Sequence, residues 1–261
     1  MSALESLARR LRELHQQAAP LVLPNAWDAA TARAVVEAGF AAVATTSSGV
    51  SAALGYADGE HTPPDEMFAA IGRISRVVDN NVAVTADIES GYRLSPADLV
   101  ARLLEAGAVG CNLEDTDHRL PEHALVDADT QAERLQAVKR AAREQGVDIV
   151  LNARVDIFLR GHDGGTAQSQ LDEAIRRARL YLEAGADSIF PIGAPDEATI
   201  SALVKAIPAP VNVIPGFRGA PGLPRLRELG VRRISFAGRL FRAFQTDHQQ
   251  RLAAIKAWHD I

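Results

Sequence analysis

The chain has 261 residues, 47% of them hydrophobic, with acids and bases interspersed to a formal net charge of −5. That length and apolar content suffice for one core of α/β-barrel size, and the mixed charge offers no basic face for nucleic acid or an anionic membrane surface. The single cysteine, Cys111, excludes an intramolecular disulfide, and no apolar run nears the length of a membrane span.

Residues 2–17 place Leu4, Leu7, Leu11 and Leu14 at helical spacing, which predicts an amphipathic extra helix lying against a larger body. Glu5 and Glu13 argue against a transit peptide, so a cytoplasmic protein is expected. Eight apolar runs follow, at 21–27, 41–47, 82–88, 109–115, 148–156, 187–193, 211–215 and 232–237. Helical patterns alternate with them, at 29–38, 64–78, 96–106, 130–144, 168–184, 196–207, 223–229 and 240–258. One phrase punctuates the alternation: Val36-Glu-Ala-Gly-Phe40, Leu104-Glu-Ala-Gly-Ala108, Leu182-Glu-Ala-Gly-Ala186 and Arg227-Glu-Leu-Gly-Val231. A helix, a glycine stop and an apolar run, repeated, is the pattern of successive βα units. Eight such units predict a (β/α)₈ barrel, a TIM barrel, as one domain over 1–261. No Gly-x-Gly-x-x-Gly follows the first run, which removes the usual dinucleotide fingerprint.

The active end of such a barrel is the C-terminal end of its strands. Polar residues collect there: Asn25 and Asp28, Thr45 to Ser48, Asp87 and Glu89, Asn112 and Glu114, Asn152, Arg154 and Asp156, and Asn212. Asp87 and Glu89 are two apart, so strand alternation predicts that they share a face. Two like charges side by side call for a hard divalent cation. Asp28, Asp115 and Asp156 serve equally well as helix caps or satisfied loop residues. Arg154 suits bidentate capture of a carboxylate or phosphoryl group, or a salt bridge to Glu114 or Asp156. Thr45 to Gly49 offer hydroxyls and N–H groups as a cradle for an anion. Asp58 lies in a loop able to fold over the mouth. Lys139, Lys205 and Lys256, the three lysines, miss the strand ends, which argues against Schiff-base chemistry. Cys111 has opposite parity to Glu114 and is expected to be an inert core thiol.

These residues resemble the isocitrate lyase/phosphoenolpyruvate mutase superfamily, from about Leu23 to Phe244. The specific matches are Leu23-Pro-Asn-Ala-Trp-Asp28, Asp87-Ile-Glu-Ser-Gly-Tyr92, Asn112-Leu-Glu-Asp115 and Asn152-Ala-Arg-Val-Asp156. The resemblance implies a barrel whose last helix is exchanged between subunits of a homodimer or homotetramer. It also implies Mg²⁺ (or Mn²⁺) held at Asp87, Glu89 and Glu114, with Asp58 as a further outer acid. Thr46, Ser47, Ser48, Asp87, Arg154 and Asn212 would bind a small 2-oxo acid or dicarboxylate. Asp58, Glu114, His118 and Arg154 would serve catalysis of C–C cleavage or decarboxylation through an enolate. The chain departs from the family where lyases carry a Lys-Lys-Cys-Gly-His loop: Thr116 to Ala124 has neither lysine nor cysteine, and acid–base work there falls to His118, Arg119 or His123. Arg93 replaces the last glycine of a Gly-Tyr-Gly turn. Two alternatives follow, a non-catalytic barrel that binds metal and 2-oxo acid, and a P–C bond hydrolase or mutase of phosphonopyruvate type.

Overall fold

The first helix, α1 (Ala3–His15), is fixed by a reciprocal cap: Ser2 Oγ accepts from the Glu5 N–H, and Glu5 Oε2 accepts from the Ser2 N–H. Its apolar stripe buries Ala8, Leu11 and Leu14 under the N-terminal ends of the strands. Arg12 bonds Asp187 at 2.8 Å and the Asp148 carbonyl at 2.9 Å, tying the helix to the chain just before two strands. This computed structural model describes residues 2–78, 81–120, 124–161 and 165–259.

The barrel runs in sequence order. Its first strand is split by Pro24 into β1 (Leu21–Leu23) and β2 (Asn25–Ala26), because proline has no N–H to give a ladder. There follow β3 (Ala42–Thr45), β4 (Ala83–Asp87), β5 (Gly110–Glu114), β6 (Val150–Val155), β7 (Ser188–Pro191), β8 (Asn212–Val213) and β9 (Arg233–Ser235). All pairings are parallel: β2 through β7 form one sheet, β1-β9-β8 a second, and the Ile189–Val211 bridge joins β7 to β8. With the halves of strand one in different sheets, the circle closes as the eight-stranded barrel expected. Register sets Asp87 beside Asn112, Asn112 beside Asn152, and Asn152 beside Ser188. One step nearer the mouth, Glu114 faces Arg154.

The outer helices are α2 (Ala29–Glu37), α4 (Pro64–Ser75), α5 (Pro96–Glu105), α6 (Ala128–Glu144), α8 (Ala167–Glu183), α9 (Glu197–Ala206), α10 (Leu223–Glu228) and α11 (Arg239–His259). The glycines of the repeated phrase, Gly39, Gly107, Gly185 and Gly230, all sit at φ between 79° and 101°, where they reverse the chain into the next strand. Asp28 caps α2 through the Thr31 N–H, the structural one of its two expected roles. Two helices escaped the sequence reading: α3 (Ser47–Leu54) and the four-residue α7 (Ile157–Arg160). Cys111 is buried and its thiol is pushed up to about 12 by burial, as an inert core thiol should be. Lys139 is buried at the opposite end from the mouth, on Asp187 and the Ile149 carbonyl. No helix among the described residues is long and apolar enough to cross a membrane.

Candidate active site

The Thr45–Ser48 run leaves β3 and turns at once into α3, with Thr46 as the residue before its first turn. The first turn of a helix has N–H groups without internal partners. Ser47 uses its own: both its N–H and its hydroxyl donate to Asp87 Oδ2 at 3.1 Å. Asn112 Nδ2 approaches Asp87 Oδ1 at 3.4 Å, and the Asp87 N–H donates to Thr45 Oγ1 at 2.9 Å. Thr46 Oγ1 and Ser48 Oγ share a hydrogen bond of 3.2 Å. The expected anion cradle is therefore a helix start aimed at a carboxylate.

Glu89 reaches the site by a different route from the one expected. β4 ends at Asp87, and Glu89 stands at φ 51°, so a turn and not strand alternation aims its side chain. Gly91, Tyr92 and Arg93 are also at positive φ, at 90°, 53° and 60°. Such a run of left-handed residues persists only where its surroundings hold it. Here the Glu60 N–H donates to Glu89 Oε2 at 2.5 Å and the Tyr92 hydroxyl to Glu89 Oε1 at 3.0 Å. Glu60 in turn accepts from the Ser90 hydroxyl and the Tyr92 N–H, both at 2.6 Å.

Glu114 and Arg154 form an ion pair across β5 and β6. Arg154 also holds Asp156 with two bonds, Nε to Oδ1 at 2.7 Å and Nη2 to Oδ2 at 2.8 Å. Both salt bridges foreseen for this arginine are thus made. The segment after β5 folds back on itself through the Thr116–Leu125 bridge and the Asp117 N–H to Ala124 carbonyl bond of 2.8 Å. That return places His118 Nε2 2.6 Å from Glu114 Oε1. His123 and His162 lie outside the described residues, and Arg119 is paired with Asp117.

Ser47, Asp58, Glu89, Glu114, His118 and Arg154 line one cavity of about 160 Å³ at the mouth of the barrel, joined there by Arg160. Asp87 lies beneath Ser47. Asn212, expected to bind substrate, is placed elsewhere: it is fully buried in the barrel core, bonded to Asn152, Arg233 and Ser235. Asn212 is the first residue of β8, paired with Arg233 at the start of β9, and so lies at the strand end away from the mouth.

Crowding of acids sets the electrostatics. Burial pushes Glu89 up to about 8, helped by Asp58 and Glu114 and opposed by the Glu60 N–H and the Tyr92 hydroxyl. Asp58 is raised by desolvation and by Asp87, against the pull of Arg154. Burial raises Glu114 too, with Arg154 opposing and Asp156 adding to the rise. Burial works against a charged His118, but Glu114 and Glu89 outweigh it and hold the imidazole above its usual value. All four acids offer hard oxygens of the kind Mg²⁺ takes, and their mutual repulsion is what a cation relieves. Among the described residues no three acids or histidines converge to ligate one ion directly. The donor set therefore fits a small cation that keeps water or substrate oxygens in most positions, not a closed protein cage.

Glu60 and Arg160 join the site without a signal in the sequence, Glu60 having none beyond its nearness to Asp58. The support behind the site is equally silent in the sequence: Asp115 Oδ2 accepts from Arg177 at 3.0 Å and from the Tyr181 hydroxyl at 2.8 Å. Asp115 Oδ1 accepts from the Asp156 N–H at 2.9 Å, so α8 braces the end of β6 that carries Arg154.

The profile of the phosphoenolpyruvate phosphomutase family matches residues 11–256. An uncharacterised Mycobacterium tuberculosis protein is 37% identical over 229 residues, 85% of this chain and 80% of that protein. The 2-methylisocitrate lyase of Bacillus subtilis is 30% identical over 217 residues, 80% of this chain and 67% of the lyase. A Burkholderia cenocepacia structure provisionally named a phosphonomutase superposes with a TM-score of 0.84 at 37% identity, covering 97% of this chain and 99% of its own.

Proposed function

The chain belongs to the phosphoenolpyruvate mutase/isocitrate lyase superfamily, and from that premise we propose a Mg²⁺-dependent lyase-type enzyme. Its substrate is a small 2-oxo acid or dicarboxylate of the oxaloacetate kind, cleaved at a C–C bond or decarboxylated through an enolate. The observation that carries this reading is the single cavity in which Asp58, Glu89, Glu114, His118 and Arg154 meet above Asp87.

Asp87, held by Ser47, and the outer acids Glu89, Glu114 and Asp58 would hold the cation. When bound, Mg²⁺ supplies positive charge beside the oxygen on which enolate charge develops. The Thr46 and Ser48 hydroxyls at the head of α3 orient the substrate carboxylate. Arg154 leaves Glu114 to grip the same ligand, while Asp156 keeps its guanidinium in plane. His118 holds a proton at Nε2 against Glu114 and delivers it to the carbon end of the enolate.

The test is calorimetric titration with oxaloacetate, pyruvate and 2-oxoglutarate, in Mg²⁺ and in EDTA, on the wild type and Asp87→Ala, with product formation followed in the same samples. Metal-dependent binding with turnover, both lost in Asp87→Ala, is the expected outcome. No binding under any condition would remove the substrate class. Two observations favour second readings. Neither lysine nor cysteine stands in 116–124, so binding without turnover would mark a non-catalytic 2-oxo acid barrel. The provisional phosphonomutase relative adds phosphonopyruvate to the panel, and release of phosphate from it would mark P–C chemistry.

We also propose a homodimer or homotetramer in which α11 is exchanged between subunits. Beyond Phe241 that helix is exposed, including Phe244, Leu252, Ile255 and Trp258.

A further inference from the structure

A second cavity, of about 220 Å³, lies on the far side of the left-handed Glu89–Arg93 turn. Neighbours in sequence divide the two: Gly59, Glu89 and His118 face the first cavity, while Glu60, Ser90, Asp117 and Arg119 face the second. The Glu89–Arg93 turn and the 117–119 segment therefore form the wall between them. Three guanidiniums line the second cavity, those of Arg93, Arg119 and Arg134, against two carboxylates, Glu60 and Asp117.

The carboxylates are already engaged. Asp117 pairs with Arg119, and Glu60 Oε1 accepts from Ser90 and Tyr92. Among the described residues Arg93 and Arg134 have no salt-bridge or hydrogen-bond partner. For Arg134 this is notable, because its side chain is half-buried: burial and Arg119 lower its pKa, and the more distant charges of Glu60 and Asp117 only oppose the fall without bonding it. A guanidinium withdrawn from water ordinarily finds an anion. Its guanidinium lies close against the turn: a Cβ on Gly91 would stand 2.7 Å from Arg134 Nη2. Arg93 holds its place at φ 60°, a conformation that glycine takes without strain and arginine does not. A side chain kept in such a conformation is a pointer to function.

We infer that this second cavity binds a small anion, a carboxylate or phosphoryl group, between Arg93 and Arg134. Its occupant bears directly on the Glu89 turn, so it tightens the loop that supplies an acid to the neighbouring cavity. Two sources share that chemistry: a separate anionic metabolite, or the far end of a long substrate crossing the wall.

Inorganic phosphate and malonate, titrated by calorimetry in EDTA, probe the site without calling on catalysis. The variants are Arg134→Gln and Arg93→Gly; the second removes the charge while relaxing the backbone, so a loss cannot be laid to misfolding. Each variant should weaken the wild-type affinity by at least about tenfold. Equal affinity in all three proteins, or no binding of either anion to the wild type, would overturn the proposal. Repeating the titration in Mg²⁺, with oxalate already bound, separates the sources. Phosphate binding that survives oxalate but yields to 2-oxoglutarate indicates a substrate tail, and phosphate that survives both indicates a separate metabolite. The proposed lyase function stands or falls elsewhere, on Mg²⁺- and Asp87-dependent binding of the 2-oxo acid.

Discussion

Burial holds the protons of Asp58, Glu89 and Glu114 on, helped at Glu89 by the charges of the other two, and that has a measurable sign. A carboxyl whose pKa is raised stays neutral to higher pH, and a cation binds the deprotonated form. With Glu89 pushed up to about 8 by burial and by its acid neighbours, Mg²⁺ affinity is expected to rise with pH up to about 8, by at most about tenfold per unit for the one proton displaced. Glu89→Gln should flatten that slope; an unchanged slope would assign the proton to another group. Most of this cluster was legible in the sequence, because acids and an arginine that interrupt apolar runs at strand ends have few structural reasons to be there. Glu60 was not, since its role depends on a loop crossing to Ser90 and Tyr92. Asn212 misled for the opposite reason: a polar residue in a short strand can sit a layer too deep, where it satisfies Asn152 and Arg233 instead of a ligand.

At the scale of the element, α1 is a plug with a titratable end. His15 is buried beneath the barrel, its Nδ1 2.7 Å from the Leu11 carbonyl and its Nε2 3.2 Å from Arg233 Nη1. Arginine can only donate, so Nε2 accepts and Nδ1 carries the proton of a neutral ring. Burial and the Arg233 charge lower the pKa from 6.5 to about 4. Because the folded value lies below the unfolded one, the associated stability is full above pH 6.5 and falls away as pH drops toward 4. It amounts to about 3 kcal/mol from the size of the shift. Denaturant melts of His15→Gln should show a shallower loss between pH 6.5 and 4 than the wild type; parallel curves would place the titration elsewhere. The sequence disclosed α1 and the glycine-stopped helices because periodicity and caps are local. It did not disclose α3, whose Ser-Ser-Gly start is a poor helix former. Tertiary structure supplies what propensity lacks there, in the Asp87 carboxylate against the N–H and hydroxyl of its first residue, Ser47.

The whole molecule is a barrel with one element that its own core does not cover. α11 begins well packed: Phe241 meets the Trp27 ring edge-on at 5.2 Å, and Phe244 lies 5.7 Å from it. Past that point the helix runs on without core partners, leaving Leu252 50%, Ile255 60% and Trp258 81% exposed. Each large apolar side chain is worth roughly 1.5–3 kcal/mol when fully buried, and three such residues within two turns form a patch that water alone does not stabilise. A helix of 21 residues spans about 30 Å, long enough to lie across a neighbouring copy. In a closed pair the contact is reciprocal, each subunit giving its helix and receiving one. Light scattering on the wild type is therefore expected to report a dimer or tetramer. The Leu252→Asp, Ile255→Asp double variant, whose changes touch no residue of either cavity, should move it to monomer while far-UV circular dichroism keeps the barrel signal. A wild type that is monomeric at micromolar concentration would end the exchange reading. A double variant that stays assembled would instead show that the subunits meet through another face.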